Sequence, residues 1–188
     1  KIGVLRFLGT NCDQDIWEAC LATNLQPEWV WYQDHFEPSN FDAFIVLHGT
    51  DTMAYATSAL SFMLVNLAKP VIVTGSQLPL GEVRNDAMEN MLGALALAGS
   101  YSIPEVCLFF RSKLFRGNRV RKVDASAFDA FDSGNFSPLA YVGVDISVQW
   151  SLIRLAAKNP LRVAPIIEKN VVIGDNTKIQ NNVSQETI

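Results

Sequence analysis

Ala43-Phe44-Ile45-Val46-Leu47-His48-Gly49-Thr50-Asp51-Thr52 decides the fold of this chain. Ala43 to Leu47 is a continuous apolar run. Strands covered on both faces read this way, and that is how parallel sheets place their strands. A helical pattern then runs from about Thr52 to Leu67, with Met53, Ala56, Leu60, Met63, Leu64 and Leu67 at helical spacing. A strand passing through a short polar turn into a helix is half of a βαβ unit. The turn sets the Thr50 hydroxyl and the Asp51 carboxylate side by side at a strand tip, where open parallel α/β sheets bind ligands. Asp51 is also a natural N-cap for the helix, since a carboxylate there accepts the free N–H groups of the first turn.

The same alternation extends outward. Pro70 to Thr74 reads as a strand ending in Gly75-Ser76-Gln77. Asn85 to Ala98 reads as a helix with Met88, Met91, Leu92 and Leu95 on one stripe, and Gly99 suits its C-terminus. Glu105 to Phe110 is a further strand, and a hairpin carrying Gly117-Asn118 leads to Lys122. Upstream, Ile2 to Leu8 is a strand, Gly9-Thr10-Asn11 a turn, and Asn11 or Asp13 caps a helix that Pro27 ends. Glu28 to Tyr32 is a short strand with Trp29 and Trp31 on one face. Right-handed crossovers then place Thr10, Thr50, Asp51 and Ser76 along one edge of the sheet. Ser147 to Lys158 reads as a helix stopped by Asn159-Pro160.

Composition sets the frame. The chain has 188 residues, 49% hydrophobic and 18% charged, enough apolar material for a substantial core and too little charge for disorder. A net charge of −4 gives no reason to expect a nucleic-acid partner. Six basic residues between Arg111 and Lys122 read as a solvated hairpin. The three cysteines form no C-x-x-C, so neither zinc nor a redox pair is suggested, and a reducing cytoplasm is the simplest location. No apolar run reaches membrane-spanning length.

Residues 42 to 146 closely resemble type I (cytosolic-type) L-asparaginases. The resemblance is carried by Asp42-Ala43-Phe44-Ile45-Val46-Leu47-His48-Gly49-Thr50-Asp51-Thr52-Met53-Ala54-Tyr55, by Ser58 to Leu64, by Lys69-Pro70-Val71-Ile72-Val73-Thr74-Gly75-Ser76-Gln77 and by Leu114-Phe115-Arg116-Gly117-Asn118-Arg119. In that family a Thr-Asp-Lys set assists amide hydrolysis, and the resemblance assigns those roles to Thr50, Asp51 and Lys122. Lys122 lies 122 − 50 = 72 residues after Thr50. The resemblance also implies that Asp51 binds a substrate α-amino group and that Ser76 lines the substrate pocket, with backbone donors from Gly49 and Ser76.

The flanks resemble other families. Gly9-Thr10-Asn11-Cys12-Asp13-Gln14-Asp15 and Pro27-Glu28-Trp29-Val30-Trp31 are similar to the start of the glutaminase subunit of formylglycinamidine ribonucleotide synthetase. The tail from about Ile166, with Ile167, Ile173 and Ile179 at intervals of six, resembles hexapeptide acyltransferases. The chain therefore reads as a mosaic joined near residue 44. An asparaginase opens with a Gly-Gly-Thr turn whose threonine is the nucleophile; the equivalent turn here is Leu8-Gly9-Thr10, so topology offers Thr10 for that role. Only 50 − 10 = 40 residues separate Thr10 from Thr50, too few for the family's lid and serine-bearing substrate loop.

Each residue has a plainer competing reading: Asp51 as a helix cap, Thr50 as a turn residue, Lys122 as a solvated lysine, His48 as a strand-end histidine. Cysteine-based glutaminase chemistry is disfavoured, because no G-x-C-x-G occurs and no histidine follows His48. The expectation is a three-layer, parallel-sheet (flavodoxin-like) α/β domain over residues 1–146, with a helix and a hexapeptide-like tail over 147–188. The expected activity is hydrolysis of L-asparagine to L-aspartate and ammonia, with no metal or organic cofactor. Partners are expected to be a small amino-acid amide and further copies of the chain, with no nucleic acid and no membrane. The alternative is a catalytically incomplete scaffold or engineered chimera.

Overall fold

The structure, a computed structural model, describes residues 2–6, 13–22, 26–31 and 40–164. The first elements are β1 (Ile2–Arg6), α1 (Asp13–Ala22) and β2 (Pro27–Trp31). Then come β3 (Phe44–Leu47), α2 (Met53–Met63), β4 (Leu64–Val65), β5 (Val71–Thr74) and α3 (Ala87–Ser100). They are followed by β6 (Val106–Phe110), β7 (Lys113–Arg116), β8 (Arg121–Lys122) and β9 (Phe131–Asp132). The last are β10 (Ala140–Val142), β11 (Ile146–Val148) and β12 (Arg162–Val163).

The main sheet has six strands in the order β11-β10-β7-β6-β5-β3. β3, β5 and β6 are parallel, with Phe44 opposite Val71 and Val71 opposite Val106. β7, β10 and β11 extend the sheet in antiparallel fashion. The layered α/β reading holds, and the sheet is mixed rather than wholly parallel.

Side-chain alternation along the central strands divides the core in two. Val71, Val73, Val106, Leu108 and Phe110 pack with Met53 and Ala54 of α2, while Phe44, Val46 and Leu60 border that cluster. Ile72, Cys107 and Phe109 face the other way, onto Ala94 and Leu97 of α3 and onto Leu114 and Leu139. This is why the central strands read as unbroken apolar runs: both faces are covered. α3 approaches the sheet closely at Gly93, where an added Cβ would lie 2.4 Å from the Phe109 ring.

The N-terminal elements form a separate βαβ unit. β1 pairs in parallel with β2, from Ile2 opposite Pro27 to Arg6 opposite Trp31, and among the described residues neither strand joins β3. Trp17 of α1 stacks on Trp29 of β2 with ring centroids 4.3 Å apart.

Several expectations need correction. α2 stops at Met63 instead of reaching Leu67, because Leu64–Val65 pairs antiparallel with Arg162–Val163 and Asn66 takes a left-handed φ of 64°. Its N-cap is Thr52, with no side-chain capping bond, so Asp51 is not the cap. α3 runs through Gly99 to Ser100. The hairpin between β6 and β7 turns at Arg111 and Ser112, both with positive φ, and Gly117-Asn118 lies in the next turn, closed from Arg119 N to Arg116 O. Residues 147–158 contain no α-helix. Ile146 and Val148 alternate with exposed Ser147 in β11, where both border the α3-side core; turns follow, in which Leu152 and Ile153 also pack against that core. The hexapeptide-like tail lies outside the described residues.

Candidate active site

β3 and β5 end side by side, and their loops carry the site. Leu47 lies opposite Thr74, and the His48 N–H donates to the Thr74 carbonyl at 2.9 Å. The strand tips come together without side-chain interposition at Gly75, where a Cβ would stand 2.2 Å from the His48 carbonyl oxygen. His48 Nδ1 is 2.8 Å from the Gly49 carbonyl oxygen, a local contact that puts a ring proton on Nδ1.

Lys122 arrives on β8, a strand outside the main sheet that pairs with β9 through Lys122 opposite Phe131. Phe131 is buried against Phe110, with ring centroids 4.9 Å apart, so the hairpin is anchored in the core next to α2. The lysine side chain is 17% exposed, and its Nζ donates to Thr50 Oγ1 and to Asp51 Oδ1, each at 2.9 Å. The Asp51 carboxylate, 94% exposed, opens toward solvent. It meets Lys122 instead of the first turn of α2. The alcohol, acid and ammonium expected from residues 72 apart therefore converge.

Gln77 joins the group. Thr50 Oγ1 donates to Gln77 Oε1 at 2.9 Å, and Gln77 Nε2 donates to the carbonyls of Ala125 and Ala127, each at 3.0 Å. The buried Asp86 carboxylate holds this loop in place. It accepts from the backbone N–H of Gln77 and Leu78 and from Asn90 Nδ2. Asn90 then donates to Gly75 O and accepts from Arg111 N, tying α3 to the tips of β5 and β6. Neither Gln77 nor Asp86 was singled out from the sequence. The usable signal for Asp86 was its i,i+4 relation to Asn90 at a helix start, a spacing that puts both on one face.

The loop after Lys122 is shaped by Asp124, which accepts from the N–H groups of Ser126 and Ala127 and from the Ser126 hydroxyl. Those hydrogen bonds, with a smaller contribution from Lys122, lower the Asp124 carboxyl below the usual range. Gly49 is exposed and Ser76 half-buried, each two residues past the end of its strand. Thr10 lies outside the described residues. The basic run is less solvated than expected: Arg111 pairs with Glu89, Lys113 with Asp129, and Arg116 with the buried Glu105.

Among the described residues no three or more His, Cys, Asp or Glu side chains cluster as a metal site would require. No helix among them is long and apolar enough to cross a membrane.

Residues 31–154 match the family described as asparaginase, N-terminal. The chain belongs to that family. It is 59% identical over 107 residues to L-asparaginase 1 of Escherichia coli (strain K12), covering 57% of this chain and 32% of that protein. It is 52% identical over 147 residues to a Mus musculus protein named 60 kDa lysophospholipase, covering 77% of this chain and 26% of that one. The crystal structure of L-asparaginase I from Vibrio cholerae O1 biovar eltor superposes with a TM-score of 0.72 at 36% identity, covering 86% of this chain and 56% of its own. The chain thus spans less than a third of the length of these two curated relatives.

Proposed function

We propose that the chain carries an asparaginase-type amidohydrolase site, converting L-asparagine and water to L-aspartate and ammonia. The observation that carries this reading is Lys122 Nζ at 2.9 Å from both Thr50 Oγ1 and Asp51 Oδ1. Amide hydrolysis needs an activated nucleophile, a proton path and a positively charged or N–H lining for the oxyanion. In this reading Thr10 attacks the carboxamide carbon, and Thr50 and Lys122 together carry its proton away from the nucleophile. The same pair delivers that proton to the amide nitrogen, which leaves as ammonia, and water then cleaves the acyl-threonine and restores the Thr10 hydroxyl. Asp51, open to solvent, receives the substrate α-amino group, while Gly49 and Ser76 line the floor. The substrate is a small amino-acid amide, the location cytoplasmic, and the working form a homo-oligomer.

Ammonia release from purified protein with L-asparagine tests the reading. Thr50→Ala and Lys122→Ala should each lower turnover by about 100-fold or more, the scale on which proton-transfer groups act. Turnover unaffected by either substitution would reject the site.

A second reading rests on β1 pairing with β2 instead of β3 among the described residues. In it the chain is a mosaic with domains at 1–146 and 147–188, whose glutaminase-like start and acyltransferase-like tail flank an incomplete site. A folded, monodisperse sample with no ammonia release would favour that scaffold.

A further inference from the structure

We propose that Gln77 is the positioning residue for the Thr50–Lys122 pair, an inference that rests on the site reading above. Its carboxamide has one allowed orientation. Two backbone carbonyls, Ala125 O and Ala127 O, face one end of the amide at 3.0 Å, and carbonyls only accept, so that end is the NH2 group. The oxygen Oε1 therefore faces Thr50, 2.9 Å away.

A threonine hydroxyl has one proton to give. Gln77 Oε1 takes it, so the remaining lone pairs of Oγ1 are directed at Lys122 Nζ, which as an ammonium can only donate. One side chain thus sets the direction of hydrogen bonding through Thr50. The same side chain holds the 125–127 backbone, three to five residues after Lys122. Its own backbone is fixed by the buried Asp86 carboxylate. Gln77 acts on the lysine through Thr50, the member of the pair it holds.

The test follows the Lys122 side-chain ammonium by NMR in protein labelled with 15N-lysine, at low temperature and mildly acidic pH. Gln77→Met keeps the length and removes both the acceptor and the donors. Lys122 ammonium protons should then exchange with water about 2- to 10-fold faster, the factor associated with one neutral hydrogen bond. Gln77→Glu keeps an acceptor toward Thr50 and loses the donors. Here the ammonium should exchange as slowly as in the wild type, or more slowly, while amide protection of Ala125 and Ala127 falls. A merely structural role would loosen the ammonium in both variants alike, and that result would overturn the proposal, as would an unchanged ammonium in folded Gln77→Met. Should Gln77→Met fail to fold, Gln77→Glu decides: a retained slow ammonium supports the proposal and a lost one overturns it. Thr50→Val separates the two levels of inference. A Lys122 signal indifferent to Thr50→Val would refute the Thr50–Lys122 pairing itself, whatever Gln77 does.

Discussion

Removing the Glu105 carboxylate should destabilise the domain more than any change at the exposed ion pairs. Its side chain is 3% exposed and that of Arg116 is 13% exposed. The pair is bidentate, with Arg116 Nε 2.5 Å from Oε2 and Nη2 2.9 Å from Oε1, and the Arg154 backbone N–H adds a third donor at 2.8 Å. In Glu105→Ala the guanidinium keeps only the Leu152 carbonyl at 2.6 Å and the face of Phe136 at 4.8 Å. Breaking a buried pair from one side costs about 3–5 kcal/mol, because the other charge stays behind. The contacts Arg116 retains argue for the lower end, about 3 kcal/mol. Domains of this kind have about 5–15 kcal/mol in total, so the loss is a large fraction. Arg154 supplies an internal control: its side chain is 61% exposed and its Nε is 3.8 Å from Glu105, so removing that charge should cost about 1 kcal/mol or less. Glu105→Leu combined with Arg116→Met should recover most of the loss, since no buried charge is then left alone. Urea unfolding followed by tryptophan fluorescence and circular dichroism gives all three numbers. A Glu105→Ala cost no greater than that of Arg154→Ala would refute the argument that the pair is desolvated.

Gly93→Ala reverses the usual sign of helix propensity. Alanine favours an exposed helix by about 1 kcal/mol, but here the new methyl meets Phe109 at 2.4 Å, and overpacking of about 1–3 kcal/mol should win. A raised melting temperature would refute the close packing. Burial pushes the Cys107 thiol far above its ordinary range, so iodoacetamide at pH 8 should label it only after denaturation, as read by mass spectrometry. Labelling as fast in the folded protein would contradict that placement. The folded carboxyl of Asp124 is lowered, so its contribution to stability is present above the ordinary aspartate pKa and is lost as pH falls through the lowered folded value. Carbon NMR of the side chain should place its midpoint below that of unstructured aspartate; a midpoint at or above it would remove the proposed turn.

The parallel part of the fold was legible because burial on both faces leaves an unmistakable mark. Phe44–Leu47, Val71–Val73 and Val106–Phe110 are apolar without interruption, and α2 and α3 carry stripes at helical spacing. The antiparallel extension was not. Its hairpin turns on Arg111-Ser112, where neither residue is among the Asn, Asp or Gly types that announce two-residue turns. Its strands β10 and β11, like those of the separate β8–β9 pair, are two or three residues long, too short for a period to show. The stretch after residue 147 misled because Leu152 and Ile153 reach the core from turns, which have no periodicity of their own. At the site, Thr50 and Asp51 were visible from their strand-tip context. Their meeting with Lys122 was visible only through resemblance, since 72 residues of spacing contain no geometry. Gln77 escaped notice for a physical reason. Its partners include the main-chain carbonyls of Ala125 and Ala127, and a backbone acceptor looks the same in every residue type.

The contact between the two strand ends also limits how the site can be redesigned. With a missing methyl at position 75 standing only 2.2 Å from a neighbouring carbonyl oxygen, even the smallest substitution must push one main chain off the other. Residue 75 is thus a fixed pivot. Attempts to alter selectivity have room to work from Ser76 onward, or along the exposed rim at Asp51, and none at the hinge between them.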